Sequence, residues 1–479
     1  MTASVEQLVV DLRRALSSKR VRDGRTELSL YRHDASQLEG AAVAVCFPTT
    51  TAEVRACVEI AARHGVPFVP RGSGTGLAGG AVPPDGAIVI STTKMGEMLS
   101  VDVAGRRAWV QPGVLNLDLS RAVAVDGLHF APDPSSQQTC SIGGNVANNS
   151  GGPHCLAEGV TNAHIIALEV VLPDGSVTIL GGEDPEPDGY DLRGVFVGSE
   201  GMFGVTTAVC VRLTPNPPAV STMLMDFETV EAGAATVSAV IAAGIVPAAL
   251  EMMDRLCLQA VEAYIHAGLP IDAAAALLVE VVGLPHGVEV DAAAITEIAV
   301  THGVRTVRTA ADDVERALLW KGRKSAFGAI ARIKPNYYLH DTVVPRAKLP
   351  EVLAKVYEIT ARHDLLVLNV FHAGDGNLHP LLVYDAREPG VMERVHAAGD
   401  EIVRASVEAG GVLSGEHGIG LEKRDLMPLM FSAVDLQAQG ALRDAFDPSR
   451  LANPGKVLPS SAGCGDLHVG RAVAEGAWI

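Results

Sequence analysis

The loop over residues 70–80, P-R-G-S-G-T-G-L-A-G-G, limits what this chain can fold into more than any other stretch. Gly74, Gly76 and Gly79 fit the G-x-G-x-x-G pattern of dinucleotide loops, and an apolar run at residues 66–69 precedes them as a strand would. In the nicotinamide-binding fold that loop opens a helix whose N-terminus faces the pyrophosphate. Here Pro83 and Pro84 follow almost at once and residues 87–91 read as another strand, so no helix fits between them. A glycine loop joining two strands can still hold a diphosphate through clustered backbone N–H groups, with neither a lysine nor a helix dipole. The ligand expected is a dinucleotide held differently from NAD.

A second constraint lies downstream. Residues 372–379 read H-A-G-D-G-N-L-H between two apolar runs, 365–371 and 381–384, with strand rather than helix character. Gly374, Asp375, Gly376 and Asn377 tolerate the positive φ of a tight reversal, which brings His372 and His379 together. A third ligand type follows in S-G-E-H-G-I-G (residues 414–420), where Glu416 and His417 sit among glycines. Two His and one Glu leave a coordination position open, the pattern of a catalytic rather than a structural zinc site. The alternative is a pair of satisfied core histidines.

The composition, 48% hydrophobic and 20% charged, is that of a globular protein rather than a disordered one, and 479 residues suit two or three domains. A formal charge of −18 offers no basic surface for phosphate backbones, which excludes nucleic acid as an expected partner. Carboxylate substrates must then be captured by local cations. Seven scattered cysteines, including Cys155 and Cys464, contain no C-x-x-C pair and read as buried thiols of a reducing cytosol. Residues 6–14 mix acids and arginines without an apolar signal core, so a cytoplasmic protein is expected, at most peripheral to a membrane. The uncharged stretch 232–250 approaches the length of a membrane span, but Pro247 interrupts it and it reads as a packed helix leading into a strand.

The pattern divides the chain into an N-terminal helical segment (1–37), a cofactor domain (38–218), a cap (219–440), a returning segment (441–459) and a tail (460–479). Thr50 and Glu53 form a capping box for a helix that Gly65 ends, and the cap expects helices over 286–304 and 309–333. On the latter, Trp320, Arg323, Phe327 and Ile330 share one stripe, which places a guanidinium among apolar neighbours. Arg323 is therefore the candidate clamp for a substrate carboxylate, with Lys324 a weaker second. The alternative is a structural ion pair with an Asp or Glu of the cap. Tyr337, Tyr338 and His340 suit either pocket or core.

Residues 70–80, P-D-P-S-S-Q (132–137) with S-I-G-G-N-V-A-N-N-S-G-G (141–152), G-S-E-G-M-F-G (198–204), the histidine hairpin and Glu416-His417 occur in one order. Together they resemble the FAD-linked 2-hydroxy-acid oxidoreductases, the group of the glycolate oxidase catalytic subunit, D-lactate dehydrogenases and D-2-hydroxyglutarate dehydrogenases, within the vanillyl-alcohol-oxidase type of flavoprotein. W-K-G-R-K (320–324) and F-D-P-S-R-L-A-N-P-G-K (446–456) are similar to the family's cap and returning segments. The resemblance implies an α+β chain: a two-part FAD-binding domain plus an α+β cap with an antiparallel sheet. It implies FAD contacts from Arg71, Gly72, Ser73, Gly74, Thr75 and Gly76 at the diphosphate, and from Pro132, Asp133, Ser135, Thr139, Gly143, Asn145 and Ser150 along the isoalloxazine and ribityl side. Glu200, Gly201 and Val205 fall near the adenine, and Asn453 comes from the returning segment. The loop contains no His, so non-covalent FAD is expected, and His154 is read as structural.

The chemistry implied is oxidation of a small D-2-hydroxy acid, glycolate or D-lactate foremost and D-2-hydroxyglutarate as the alternative. His372, His379 and Glu416 would hold a divalent metal, zinc by default, and His417 is the general base or a further ligand. The electron acceptor stays open among quinone, cytochrome, electron-transfer flavoprotein and oxygen, as does a homodimer. A metal-dependent hydrolase would leave the glycine loop without a task. A non-catalytic flavin subunit would be expected to lack the metal set, and a lyase-type relative would need a phosphate-binding cap.

Overall fold

The computed structural model describes residues 3–182 and 189–460, which fall into two units. Of the described residues, the first comprises 3–151, 160–182, 189–216 and 416–460; the second, 152–159 and 217–415. The expected tail and Cys464 lie outside the described residues.

In the first unit the strands Val21–Arg22, Ala44–Cys46, Ile88–Ser91 and Phe68–Arg71 form one sheet in that order, parallel except at the first pair. Phe68–Arg71 and Ile88–Ser91 are parallel neighbours, so the chain between them must cross from one end of the sheet to the other. Parallel crossovers are usually helical; this one is the glycine loop, as its prolines demand. A second, antiparallel sheet runs Met98–Asp102, Arg107–Val110, Val205–Arg212, Ile165–Val171, Val177–Gly181. The helix Ala3–Leu16 buries Leu8, Leu12 and Leu16 against Val54, Cys57 and Val58 of helix Thr51–His64, so residues 1–37 are part of this unit rather than a separate segment. Thr50 caps that second helix by accepting from Glu53 N, and Gly65 closes it with φ 62°. The reciprocal half of the capping box forms one residue early: Glu53 accepts from Thr49 N and pairs with Arg20.

The second unit carries an antiparallel sheet whose main path is Val304–Thr309, Ala219–Phe227, Ala275–Gly283, Ala249–Asp254, Leu366–His372, Asn377–Leu378, Thr342–Val343. Alternation along the strands divides its faces. Met225, Phe227, Leu250, Met252, Leu277, Val279 and Phe371 turn to one side and join residues of helices Val230–Ala242, Pro285–Thr301, Leu349–Arg362 and Val391–Glu408 in a single apolar core. Their alternates Thr222, Asp226, Glu251, Glu280 and His372 occupy the opposite face.

Two expected boundaries shift. The chain returns to the first unit at Glu416, not at 441, because nothing in composition marks that junction. Residues 304–309, V-R-T-V-R-T, alternate and form a strand; the helix expected from 309 begins at Asp313 and stops at Lys324, and Ala326–Ile330 is a separate short helix. Residues 232–250 are, as expected, a helix running into a strand, and among the described residues no helix is long and apolar enough to cross a membrane.

Candidate functional site

Every residue expected to hold FAD lies in the first unit, and direct contacts link several of them. A Cβ on Gly72 would collide with Ser141 Oγ, the hydroxyl that caps helix Ile142–Asn148. Asn145, from that helix, donates to Ser150 Oγ (3.2 Å) and accepts from Asn116 (3.1 Å), which also donates to Pro132 O (2.9 Å). Gly143 packs on Pro112 closely enough to exclude a side chain. Gly201 has φ 77° and lies against Pro70, while Asn453 Nδ2 donates to both Gly80 O (2.8 Å) and Glu200 O (2.6 Å). Asp133 is buried, Ser135 half-buried, Thr139 exposed with its hydroxyl on Ser136 O, and Val205 buried in its strand.

The loop itself has the character of a diphosphate nest. Among the described residues, the backbone N–H groups of Gly72, Ser73, Gly74, Thr75 and Gly76 donate to no protein acceptor, and Gly74 adopts φ 74°. Arg71, 7% exposed, lies over the Tyr31 ring at 5.4 Å and donates to Ala81 O; burial lowers its guanidinium pKa. Successive unmet donors beside a buried cation fit an anionic diphosphate.

Glu200, expected near the adenine, has its carboxylate engaged within the protein. The Glu200 carboxylate is buried and accepts from Ile419 N (2.8 Å) and Gly420 N (3.0 Å), so it serves the segment that follows Glu416-His417. Asn148 Nδ2 donates to Glu416 O (2.7 Å), and a Cβ on Gly418 (φ 87°) would meet Glu200 Oε1 at 2.7 Å. Glu416 and His417 are thus held by backbone clamps on both sides, their side chains 3.9 Å apart.

In the second unit the hairpin forms as its glycines require, with Gly376 at φ 72° and His372 paired to Asn377. The rings of His372 and His379 lie edge to face, centroids 5.1 Å apart. Each meets a carboxylate. His372 Nδ1 lies 2.8 Å from Glu251 Oε1, and His379 Nε2 lies 3.4 Å from Asp341 Oδ1. Asp341 also accepts from Ser414 Oγ (2.6 Å) and Gly415 N (3.0 Å).

Arg323 is 1% exposed and its Nη2 lies 2.5 Å from Glu251 Oε2, the ion pair that competes with the clamp assignment. Burial pushes the Glu251 carboxyl up, but Arg323 and His372 more than offset this and hold it below its ordinary value. The stripe expected on the helix divides between two acids: Trp320 Nε1 donates to Glu280 Oε2 (2.6 Å) rather than sharing the surroundings of Arg323. Lys324 Nζ lies 5.9 Å from the Trp320 ring centre. Glu280 further accepts from Arg316 (2.7 and 2.9 Å) and Thr222 (2.5 Å) and meets His154, whose ring is tilted by 35° against Trp320 with centroids 5.1 Å apart. His154 thus meets a buried carboxylate and an aromatic ring within its own unit. Tyr338 and His340 pack edge to face within the unit.

Glu251, Glu280 and Asp341 escaped sequence reasoning. A signal was present: a lone acid inside A-L-E-M-M or L-V-E-V-V must be paired when its strand is buried. Of the six described cysteines five are buried as expected, and Cys155 is half-buried.

Residues 42–181 match the family model for the FAD binding domain, and residues 216–457 that for the FAD linked oxidases, C-terminal domain. The chain is 46% identical over 428 residues to glycolate oxidase subunit GlcD of Escherichia coli (strain K12), covering 89% of this chain and 86% of that one. It is 31% identical to D-lactate dehydrogenase of Anaerostipes hadrus, over 92% and 95% of the two chains. Among solved structures, 4-ethylphenol oxidase from Gulosibacter chungangensis superposes with a TM-score of 0.80 at 19% identity, covering 96% of this chain and 98% of that one. That likeness extends the vanillyl-alcohol-oxidase type of fold to nearly the whole chain. Two family domains in sequence, and a relative close to half identical along nine-tenths of the length, make this chain an oxidoreductase of the FAD-linked oxidase family.

Proposed function

We propose that the chain oxidises a small 2-hydroxy acid, D-configured where a stereocentre exists, to the 2-oxo acid, with glycolate or D-lactate as substrate. The observation that carries this reading is Arg323: Nε and Nη1 of its buried guanidinium meet no acceptor among the described residues. Buried charged donors without acceptors are costly, and a carboxylate supplies the complementary pair of oxygens. The names of the relatives, glycolate oxidase subunit and D-lactate dehydrogenase, point to the same substrate class.

His372, His379 and Glu416 suit a divalent cation, with zinc the default for two imidazoles and a carboxylate. With Nδ1 committed to Glu251, His372 presents Nε2. Glu416 is one peptide beyond Gly415, whose N–H is bonded to the carboxylate beside His379. A metal bound there would polarise the substrate hydroxyl and lower its pKa. Arg323, assisted by Lys324, would fix the carboxylate and so the face of the α-carbon. His417 would take the hydroxyl proton as the α-hydrogen leaves with both electrons. FAD, held along the 72–76 loop and the Pro132 to Ser150 residues, would accept that hydride at N5.

The test is anaerobic: add glycolate, D-lactate, L-lactate and D-2-hydroxyglutarate separately to the purified yellow protein and watch the flavin band. Bleaching by glycolate or D-lactate is expected. Bleaching by none of the four would refute the substrate class.

A further inference from the structure

The buried face of the second unit's sheet carries a link that neither the candidate clamp nor the candidate metal ligands account for. Glu251 on strand Ala249–Asp254 and His372 on strand Leu366–His372 are register partners, so their side chains leave the sheet together on one face. Arg323 reaches the same carboxylate from helix Asp313–Lys324. Both oxygens are engaged: Oε1 lies 2.8 Å from His372 Nδ1, and Oε2 lies 3.0 Å from that nitrogen and 2.5 Å from Arg323 Nη2. None of the three residues is more than 4% exposed.

We propose that Glu251 is a positioning residue that fixes the substrate-binding guanidinium and the metal-ligating imidazole relative to each other. This rests on the function proposed above. A carboxylate at Nδ1 holds the proton on that nitrogen and leaves the Nε2 lone pair for a cation, the arrangement that orients ligating histidines in metalloenzymes. The same carboxylate takes one edge of the guanidinium and leaves Nε and Nη1 directed elsewhere. A 2-hydroxy acid carries its carboxylate and hydroxyl on adjacent carbons, so arginine and metal must keep one short spacing to engage both. One rigid carboxylate touching both supports sets that spacing. A carboxylate that merely neutralised Arg323 would not need His372 as its cross-strand partner.

The experiment uses the FAD-loaded full chain and the variants Glu251→Gln and Glu251→Asp. Zinc affinity is measured by competition with a chromophoric chelator, alongside flavin content and kcat and KM for the acid that bleaches the flavin. Expected for Glu251→Gln is a loss of zinc affinity of about 10- to 100-fold, with a raised KM and unchanged flavin content; Glu251→Asp should restore part of both. Unchanged zinc affinity, whether or not KM rises, would overturn the proposal, because Glu251 would then serve Arg323 alone. If Glu251→Gln does not fold, the charge-compensated Glu251→Gln/Arg323→Gln variant must still lose zinc affinity, and wild-type affinity there is equally fatal. Failure of the unsubstituted protein to take up zinc is a separate result: it removes the metal from the function proposed above and overturns this proposal with it.

Discussion

Replacing Glu280 with Ala should loosen the helix that carries Arg323 and Lys324, and the cost can be worked from the bonds it breaks. The carboxylate is 1% exposed and accepts from Thr222, Trp320 and both edge nitrogens of Arg316, with His154 at 3.3 Å. Arg316 is more than a third exposed and returns to water on truncation, so its bonds contribute little. The Thr222 hydroxyl and the Trp320 indole N–H are buried and lose this acceptor, at about 1–3 kcal/mol each, or roughly 2–6 kcal/mol together. Glu280→Gln should recover much of that, since its carbonyl at the Oε2 position can still accept from Thr222 and Trp320. Urea unfolding followed by tryptophan fluorescence gives the comparison, and the KM for the acid substrate should rise in Glu280→Ala with flavin content intact. The pH dependence has a definite sign. Burial would raise the Glu280 carboxyl, but His154, Arg316 and Thr222 outweigh it and hold the group well below the ordinary range. Its contribution is therefore complete above the unfolded value of about 4.3 and disappears as the pH falls through the folded value, so wild type and Glu280→Ala should converge in acid. Equal urea midpoints at pH 7 would refute the reasoning.

His417→Ala should lower kcat by about 10²–10⁴-fold while the protein stays yellow; normal turnover would remove the base assignment. Gly72→Ala drives a Cβ into Ser141 Oγ and should lower the flavin-to-protein absorbance ratio, whereas full FAD loading would show that the loop can give way. Lys456, buried and donating to Val82 O, is pushed down by burial to about 7. The unfolded chain keeps that proton up to about pH 10.4, so stability should rise between pH 7 and 10, and Lys456→Met should flatten the slope; a slope unchanged by the substitution would contradict the assignment.

The parts of this molecule legible in sequence were those encoded by neighbours in the chain. The glycines and Asn377 of the hairpin bring two histidines together over seven residues, and Pro83 with Pro84 forbids the helix a nicotinamide site would need. The sequence placed Arg323 on a helix and in the interior, yet could not find its partner, because Glu251 lies 72 positions earlier on another element. Asp341 was hidden in the same way, since its bond to Ser414 spans 73 residues. The strand Val304–Thr309 was mistaken for helix at both ends because its flanks are strongly helical and its own period of two is only six residues long. Glu200 sits within a motif whose glycines are legible, but the destination of its carboxylate, Ile419 and Gly420, is set by a segment more than two hundred residues away.

The first unit's three-part make-up has a consequence for how the protein is made. Residues 1–216 emerge 200 residues ahead of Glu416 (416 − 216), an interval of about 10–40 s at 5–20 residues per second. Through that interval strand Phe68–Arg71 lacks the residues that finish it: Phe68 exchanges backbone bonds with Leu451 and Asn453, and only Asn453 joins the carbonyls of Gly80 and Glu200. The second unit waits for nothing beyond Gly415, so it can close first on the ribosome. Flavin capture becomes a late event, deferred until the 45 described residues from Glu416 onward have been translated, and a nascent chain arrested before them would be a folded cap tethered to an unfinished cofactor fold.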